Sequence, residues 1–134
     1  MITPDELAIL RKPEVQEYIR EKMGQWDDGD LYHCEIDGKE RLILPDEDGM
    51  KRWPCCCHVL LIPDCISRDN ERPERGLWGM LRTNGTKVSM LESENGVTLY
   101  IKLDGKWTAS FVESTPRLAL LKALEWQIGA EGER

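Results

Sequence analysis

The chain has 134 residues and a formal net charge of −7, from 18 basic and 25 acidic side chains. Its apolar content of 40% and charged content of 32% are typical of a globular protein, neither disordered nor membranous. The acidic excess disfavours nonspecific binding to nucleic acid or to anionic membranes. Because Asp5 and Glu6 interrupt the start of the sequence, we expect no secretory leader, and the length favours one domain over residues 1–134.

The N-terminal segment predicts two short helices. Thr3 and Glu6 form a capping-box pattern around Pro4, which favours a helix start. A second helix is expected over Pro13–Met23, where apolar residues recur at spacings of three and four. Gly24 is a suitable stop for that helix.

The middle of the chain predicts a hairpin, a third strand and a loop. Leu31–Ile36 alternates between apolar and polar residues, and Asp37-Gly38 is a turn signal into a strand over Glu40–Leu44. His58–Ile62 reads as a further strand, and the charged segment Asp64–Glu74 as an exposed loop.

The second half predicts an antiparallel meander of strands Lys87–Glu92, Val97–Leu103 and Lys106–Val112. A two-residue turn at Asn95-Gly96 would pair Met90 with Ile101 and Val88 with Leu103. A three-residue loop over Asp104–Lys106 would pair Leu103 with Trp107, Ile101 with Ala109 and Leu99 with Phe111. Both turns place one apolar set on one face, with Tyr100 among the polar residues of the other face.

Thr115-Pro116 is expected to open the last helix, as Thr3-Pro4 opens the first. That helix is apolar around so much of its girth that we expect it to pack on more than one side. Residues Gly129–Arg134 are expected to fray. We therefore predict an α+β fold, in which an antiparallel meander is packed by the N-terminal and C-terminal helices. The expected core consists of Leu99, Ile101, Trp107, Phe111, Leu121 and Leu124.

The five cysteines are odd in number and three of them are consecutive, which favours reduced thiols in a cytoplasm over a disulfide framework. The alternative function is a small zinc-binding protein, whose site would need Cys55 with Cys57, or Cys56 with His58. Cys65 and His33 would then have to complete it. Because the chain has no Cys-x-x-Cys and consecutive residues of an extended strand diverge, we expect buried, unliganded thiols and no bound metal or other cofactor.

No enzymatic constellation emerges from the pattern of residues. A cysteine nucleophile would need His33 or His58 as its base. The side chains of Cys57 and His58 diverge on an extended segment, and alternation places His33 on the less apolar strand face, where it would be solvated. We therefore predict a protein that is not an enzyme.

One segment is a candidate interaction surface. Gly76 and Gly79 flank Leu77-Trp78, which lets the Trp78 ring lie against a closely approaching backbone. Trp with a nearby Arg is typical of a binding anchor, although Trp78 is also compatible with the core. The candidate contact residues are Arg75, Trp78 and, on the polar face of the meander, Tyr100, and the expected partner is an unidentified protein.

Three blocks of sequence resemble a family of short uncharacterised proteins carried by phages and prophages of Gram-positive bacteria. The blocks are residues 13–24, residues 71–80 and the helix at 116–124. The closing helix is also similar to the end of phage helix–sheet–helix sandwich domains. The resemblance implies a phage or prophage context for the protein and no established activity. It therefore transfers no functional residues to this chain.

Overall fold

The computed structural model describes residues 2–44, 54–82 and 86–132, and its elements confirm the predicted α+β class. The elements in chain order are α1 (Pro4–Leu10), α2 (Pro13–Met23), β1 (Leu31–Cys34), β2 (Glu40–Leu42), β3 (Val59–Ile62), a 3-10 turn (Pro73–Arg75), α3 (Leu77–Leu81), β4 (Thr86–Ser93), β5 (Gly96–Leu103), β6 (Lys106–Glu113) and α4 (Pro116–Gly132). The strands form two antiparallel sheets, ordered β2-β1-β3 and β4-β5-β6.

Both N-terminal helices begin where the sequence predicts, and α2 also ends at the predicted residue. The Glu6 backbone N–H donates to Thr3 Oγ1 at 3.2 Å, and the Thr3 backbone N–H donates to Glu6 Oε1 at 3.1 Å, which completes the capping box. Helix α2 ends at Met23, and the Gly24 that follows has a positive φ of +74°, which favours glycine.

Gln16 joins α2 to the first sheet. Its side-chain amide is buried and bonds the backbone of Leu61 twice, through Nε2 to the carbonyl and from the N–H to Oε1, both at 3.0 Å. The amide thus satisfies both polar groups of a strand residue that would otherwise be buried without partners. This contact fixes the helix over β3.

The expected pairing across Asn95-Gly96 is wrong by two residues. Ser93 pairs with Gly96, so that Val88 lies opposite Ile101 and Met90 opposite Leu99. Position 96 lies in β5 and not in the turn, and it requires glycine. Its φ is +131°, and a Cβ there would lie 2.5 Å from the Glu113 carbonyl oxygen. A shift of two residues keeps every side chain on its predicted face.

The expected pairing of Trp107 with Leu103 is also wrong, and this error changes a face. Asp104 and Gly105 both have positive φ, at 51° and 81°, and form a two-residue type I′ turn that pairs Leu103 with Lys106. A bulge beside Ile101 then restores the predicted pairing with Ala109. Trp107 lies opposite Lys102 and is 63% exposed, so it is not part of the core.

Helix α4 covers the inner face of the meander and is buried on several sides, as predicted. Leu118, Ala119, Leu120 and Leu121 are consecutive and all buried, because α1, α2, α3, β5 and β6 all contact the helix. Leu99, Ile101 and Leu124 join them in the main core, and Phe111 is half-buried at its margin against Trp126. The helix continues to Gly132, beyond the expected fraying point at Gly129, and residues 133–134 lie outside the described part of the chain.

We expect Leu121→Ala to lower the free energy of unfolding by about 2–5 kcal/mol, because the Leu121 side chain is fully buried in the main core. Denaturant unfolding measures this change. Leu91→Ala is the matched control, since Leu91 is 64% exposed on the outer face of the meander. A loss below about 0.5 kcal/mol for Leu121→Ala would contradict the packing of α4 on the sheet.

Candidate functional site

Three cysteine thiols converge at one end of the first sheet. Cys34 is the last residue of β1, and it is held at a turn by the Gly38 N–H to Cys34 carbonyl bond of 2.8 Å. The Sγ atoms of Cys34, Cys55 and Cys56 all lie within 4.8 Å of one another, and those of Cys34 and Cys56 are 3.8 Å apart.

The loop that carries Cys55 and Cys56 is bent, which is why consecutive cysteines can point to the same place. Residues 55–57 form bends where the sequence analysis assumed an extended strand. The Cys55 backbone N–H donates to the Tyr32 hydroxyl at 3.1 Å, and Cys56 packs against the small cluster of Tyr32, Ile43 and Val59. The premise that these thiols must diverge is therefore wrong.

The positively charged Arg41 side chain lies beside the cluster of three thiols. Arg41 Nη1 is 3.7 Å from Cys55 Sγ, and the same guanidinium is paired with the Asp37 carboxylate. The backbone N–H of Asp37 is the main cause that lowers the pKa of the Cys34 thiol. The His58 backbone N–H lowers the pKa of the Cys56 thiol, but burial and the neighbouring thiols together outweigh it, so the pKa is raised overall. Arg41 also lowers the pKa of Asp37.

The fold does not bring the predicted metal ligands Cys55, Cys57, Cys65 and His33 together. Cys57 is exposed and stands outside the group of three thiols, and Cys65 packs against the main core, where burial raises the pKa of its thiol. His33 is 4% exposed, which corrects the expectation of a solvated side chain. Its Nδ1 lies 3.9 Å from Glu40 Oε1, and strand alternation turns it away from Cys34.

Arg75 is a structural residue, which corrects its assignment to a contact surface. The side chain is 6% exposed and forms a 2.6 Å ion pair with Asp30, which is 2% exposed. The guanidinium also donates to the Met23 and Gln25 carbonyls at the end of α2. The polar partners of Arg75 lie between α2 and β1, so it ties the loop before α3 to that connection.

The two glycines around Trp78 serve the close backbone approach that the sequence predicts. A Cβ at Gly76 would lie 2.3 Å from the Ser67 nitrogen, and one at Gly79 would lie 1.9 Å from the Pro73 carbonyl oxygen. Trp78 itself lies on α3, half-buried against the main core. It also lines a shallow groove with Ile66, Ser67, Asp69, Asn70, Pro73 and Arg82.

The outer face of the meander holds a second candidate surface around Tyr100. The Tyr100 and Trp107 rings meet edge to face, with centroids 5.8 Å apart, and Lys102 Nζ lies 5.4 Å from the centre of the Trp107 ring. These rings border an open groove of about 690 Å³. Its other lining residues are Ser89, Leu91, Thr108, Ala109 and Ser110.

Sequence reasoning missed Cys34 and Arg41 at the thiol cluster and Trp107 on the outer face of the meander. Cys34 and Arg41 join the thiol cluster through strand pairing and loop bending, which no local pattern signals. Trp107 had a usable signal, since Asp104-Gly105 is the dipeptide typical of a two-residue type I′ turn.

Comparison with known proteins gave no match among family models, curated proteins or solved structures. Within the described ranges, every helix falls short of the length and apolar content that a membrane span requires.

We expect Arg75→Ala to lower the free energy of unfolding by about 3 kcal/mol, because among the described residues it leaves Arg68 alone as an ionic partner of the buried Asp30 carboxylate. Arg72→Ala is the matched control, since the Arg72 side chain is 40% exposed, and it should cost about 1 kcal/mol or less. Chemical denaturation of both variants provides the comparison. Equally small losses would mean that Arg75 is not a structural residue.

Proposed function

We propose that the protein is a non-enzymatic interaction module that binds an acidic segment of a partner protein on the outer face of its meander. The observation that carries the proposal is the exposure of large side chains on that face. Leu91 on β4 is 64% exposed, and Trp107 and Val112 on β6 are 63% and 70% exposed, so that they flank Tyr100 on the central strand β5. Exposed aromatic and apolar side chains grouped in this way are typical of protein-binding surfaces.

The charge on this face selects the chemistry of the partner. Lys87 and Lys102 lie directly opposite each other on β4 and β5, although like charges in that position repel. The strands β4, β5 and β6 contain two acidic residues, Glu92 and Glu113, and both belong to the inner face with Val97. A chain of net charge −7 thus presents a face that is basic and aromatic. Carboxylates next to an apolar side chain complement it.

Two other occupants fit the face less well. A two-fold dimer through this face would place the lysine pairs of both copies, Lys87 and Lys102, in one interface. A long nucleic acid would be repelled by the net charge of −7 and would find two lysines on the face to neutralise its phosphates. A short acidic protein segment meets neither obstacle.

The biological setting belongs to the same proposal. We infer a phage or prophage accessory protein from the sequence resemblance. A cytoplasmic location is supported by the five cysteines, which all lie within the described residues and are free thiols.

A peptide titration tests the proposed function. The probe is a short synthetic peptide in which glutamates alternate with leucine and phenylalanine, and the control peptide carries lysines in place of the glutamates. We expect the acidic peptide alone to shift the backbone NMR signals of Ser89, Tyr100 and Ser110, which line the groove. Added salt should weaken this binding, because it screens the exposed lysines.

Two variants of the face and one control variant locate the binding site. Trp107→Ala should lower the affinity about 10-fold or more, whereas Ile66→Ala, which removes a side chain that is 72% exposed outside this face, should leave it unchanged. Lys102→Glu should abolish binding of the acidic peptide. Equal binding of the lysine peptide, self-association through this face, or tighter binding of a single-stranded oligonucleotide there would contradict the proposal.

A further inference from the structure

We propose that Cys34, Cys55 and Cys56 form a binding site for a thiophilic d10 cation, Zn²⁺ in the first place, with all three thiolates as ligands. The proposal is independent of the peptide-binding face, which belongs to the other sheet. It replaces the expectation of unliganded thiols, because that expectation rested on an extended conformation that the loop does not adopt.

The spacing of the sulfur atoms is that of a zinc site. Zinc–sulfur bonds of about 2.3 Å at tetrahedral angles place two ligating sulfurs about 3.8 Å apart. The Cys34 and Cys56 Sγ atoms are separated by 3.8 Å, and the Cys55 Sγ lies within 4.8 Å of both. A small rotation of the exposed Cys55 side chain completes the three-sulfur face.

The surroundings hold the ligands in place and offset their charge. Cys34 is fixed by its 2.9 Å backbone bond to Lys39, and Cys55 by its bond to the buried Tyr32 hydroxyl. Three thiolates around Zn²⁺ carry a net charge of −1, and the Arg41 guanidinium, which also pairs with Asp37, lies beside Cys55 Sγ and attracts that charge. Second-shell partners of this kind orient ligands in metal sites.

The exposure of the thiols leaves one side of the site open. Cys34 is buried and Cys56 half-buried, while Cys55 faces solvent. Three protein ligands leave the fourth tetrahedral position to a water molecule or to a ligand from solution. Each thiol releases its proton on binding, so no oxidant or reductant is required.

Metal titration of the full chain, chelator-treated and kept reduced, tests the site. We expect one Zn²⁺ per chain, measured by competition with a zinc-binding dye. In a separate titration without zinc, Co²⁺ bound to the protein should give thiolate-to-metal charge-transfer absorption, which reports sulfur ligation directly. Cys55→Ser should weaken zinc binding by about 100-fold or more. The reason is that loss of a direct ligand should cost at least as much as loss of a second-shell partner, which costs up to about 100-fold.

Cys57→Ser is the matched control, because Cys57 is also exposed and lies two positions away on the same loop. It should bind Zn²⁺ like the parent, and so should Cys65→Ser. Cys55 is exposed, so circular dichroism of Cys55→Ser without metal should match the parent, which separates ligand loss from unfolding. No stoichiometric zinc, equal losses for Cys55→Ser and Cys57→Ser, or a Cys34–Cys56 disulfide that persists under reductant would overturn the proposal.

Discussion

Helix α4 lies against the inner face of the meander, and this contact determines which surface the protein can offer to others. Leu99 and Ile101 of the central strand and Leu121 and Leu124 of the helix are all buried in the same core. Because β-strand side chains alternate, filling one face with helix leaves the other face outside. The exposed aromatic groove is thus a consequence of where α4 packs.

The composition of that free face follows from one turn. The type I′ turn at Asp104-Gly105 moves Trp107 from the predicted core to the outer face, and the bulge that follows returns Ala109 and Phe111 to their predicted partners. The faces of the other apolar meander residues were predictable, since hydrophobic alternation is a local signal, but the pairing across Asn95-Gly96 was wrong by two residues. The choice between a two-residue and a three-residue loop decided the position of one tryptophan.

The thiol cluster could not be predicted from local sequence patterns. The sequence identifies the cysteines but not which of them meet, because β1 and the loop before β3 are brought together by strand pairing and by burial of Tyr32. The same limit applies to Arg75, whose charge suggested a surface and whose partners come from the end of α2 and from Asp30. Long-range polar contacts of this kind leave no periodic trace in the sequence.

The central claim is that one face of the meander is sealed by α4 while the other is open to a partner. Solvent paramagnetic relaxation of methyl NMR signals by a soluble gadolinium chelate tests it most directly. Strong broadening is expected for Leu91 and Val112, which are 64% and 70% exposed, and protection for the buried Leu99 and Ile101. Equal protection of both pairs of methyl-bearing residues would contradict the account.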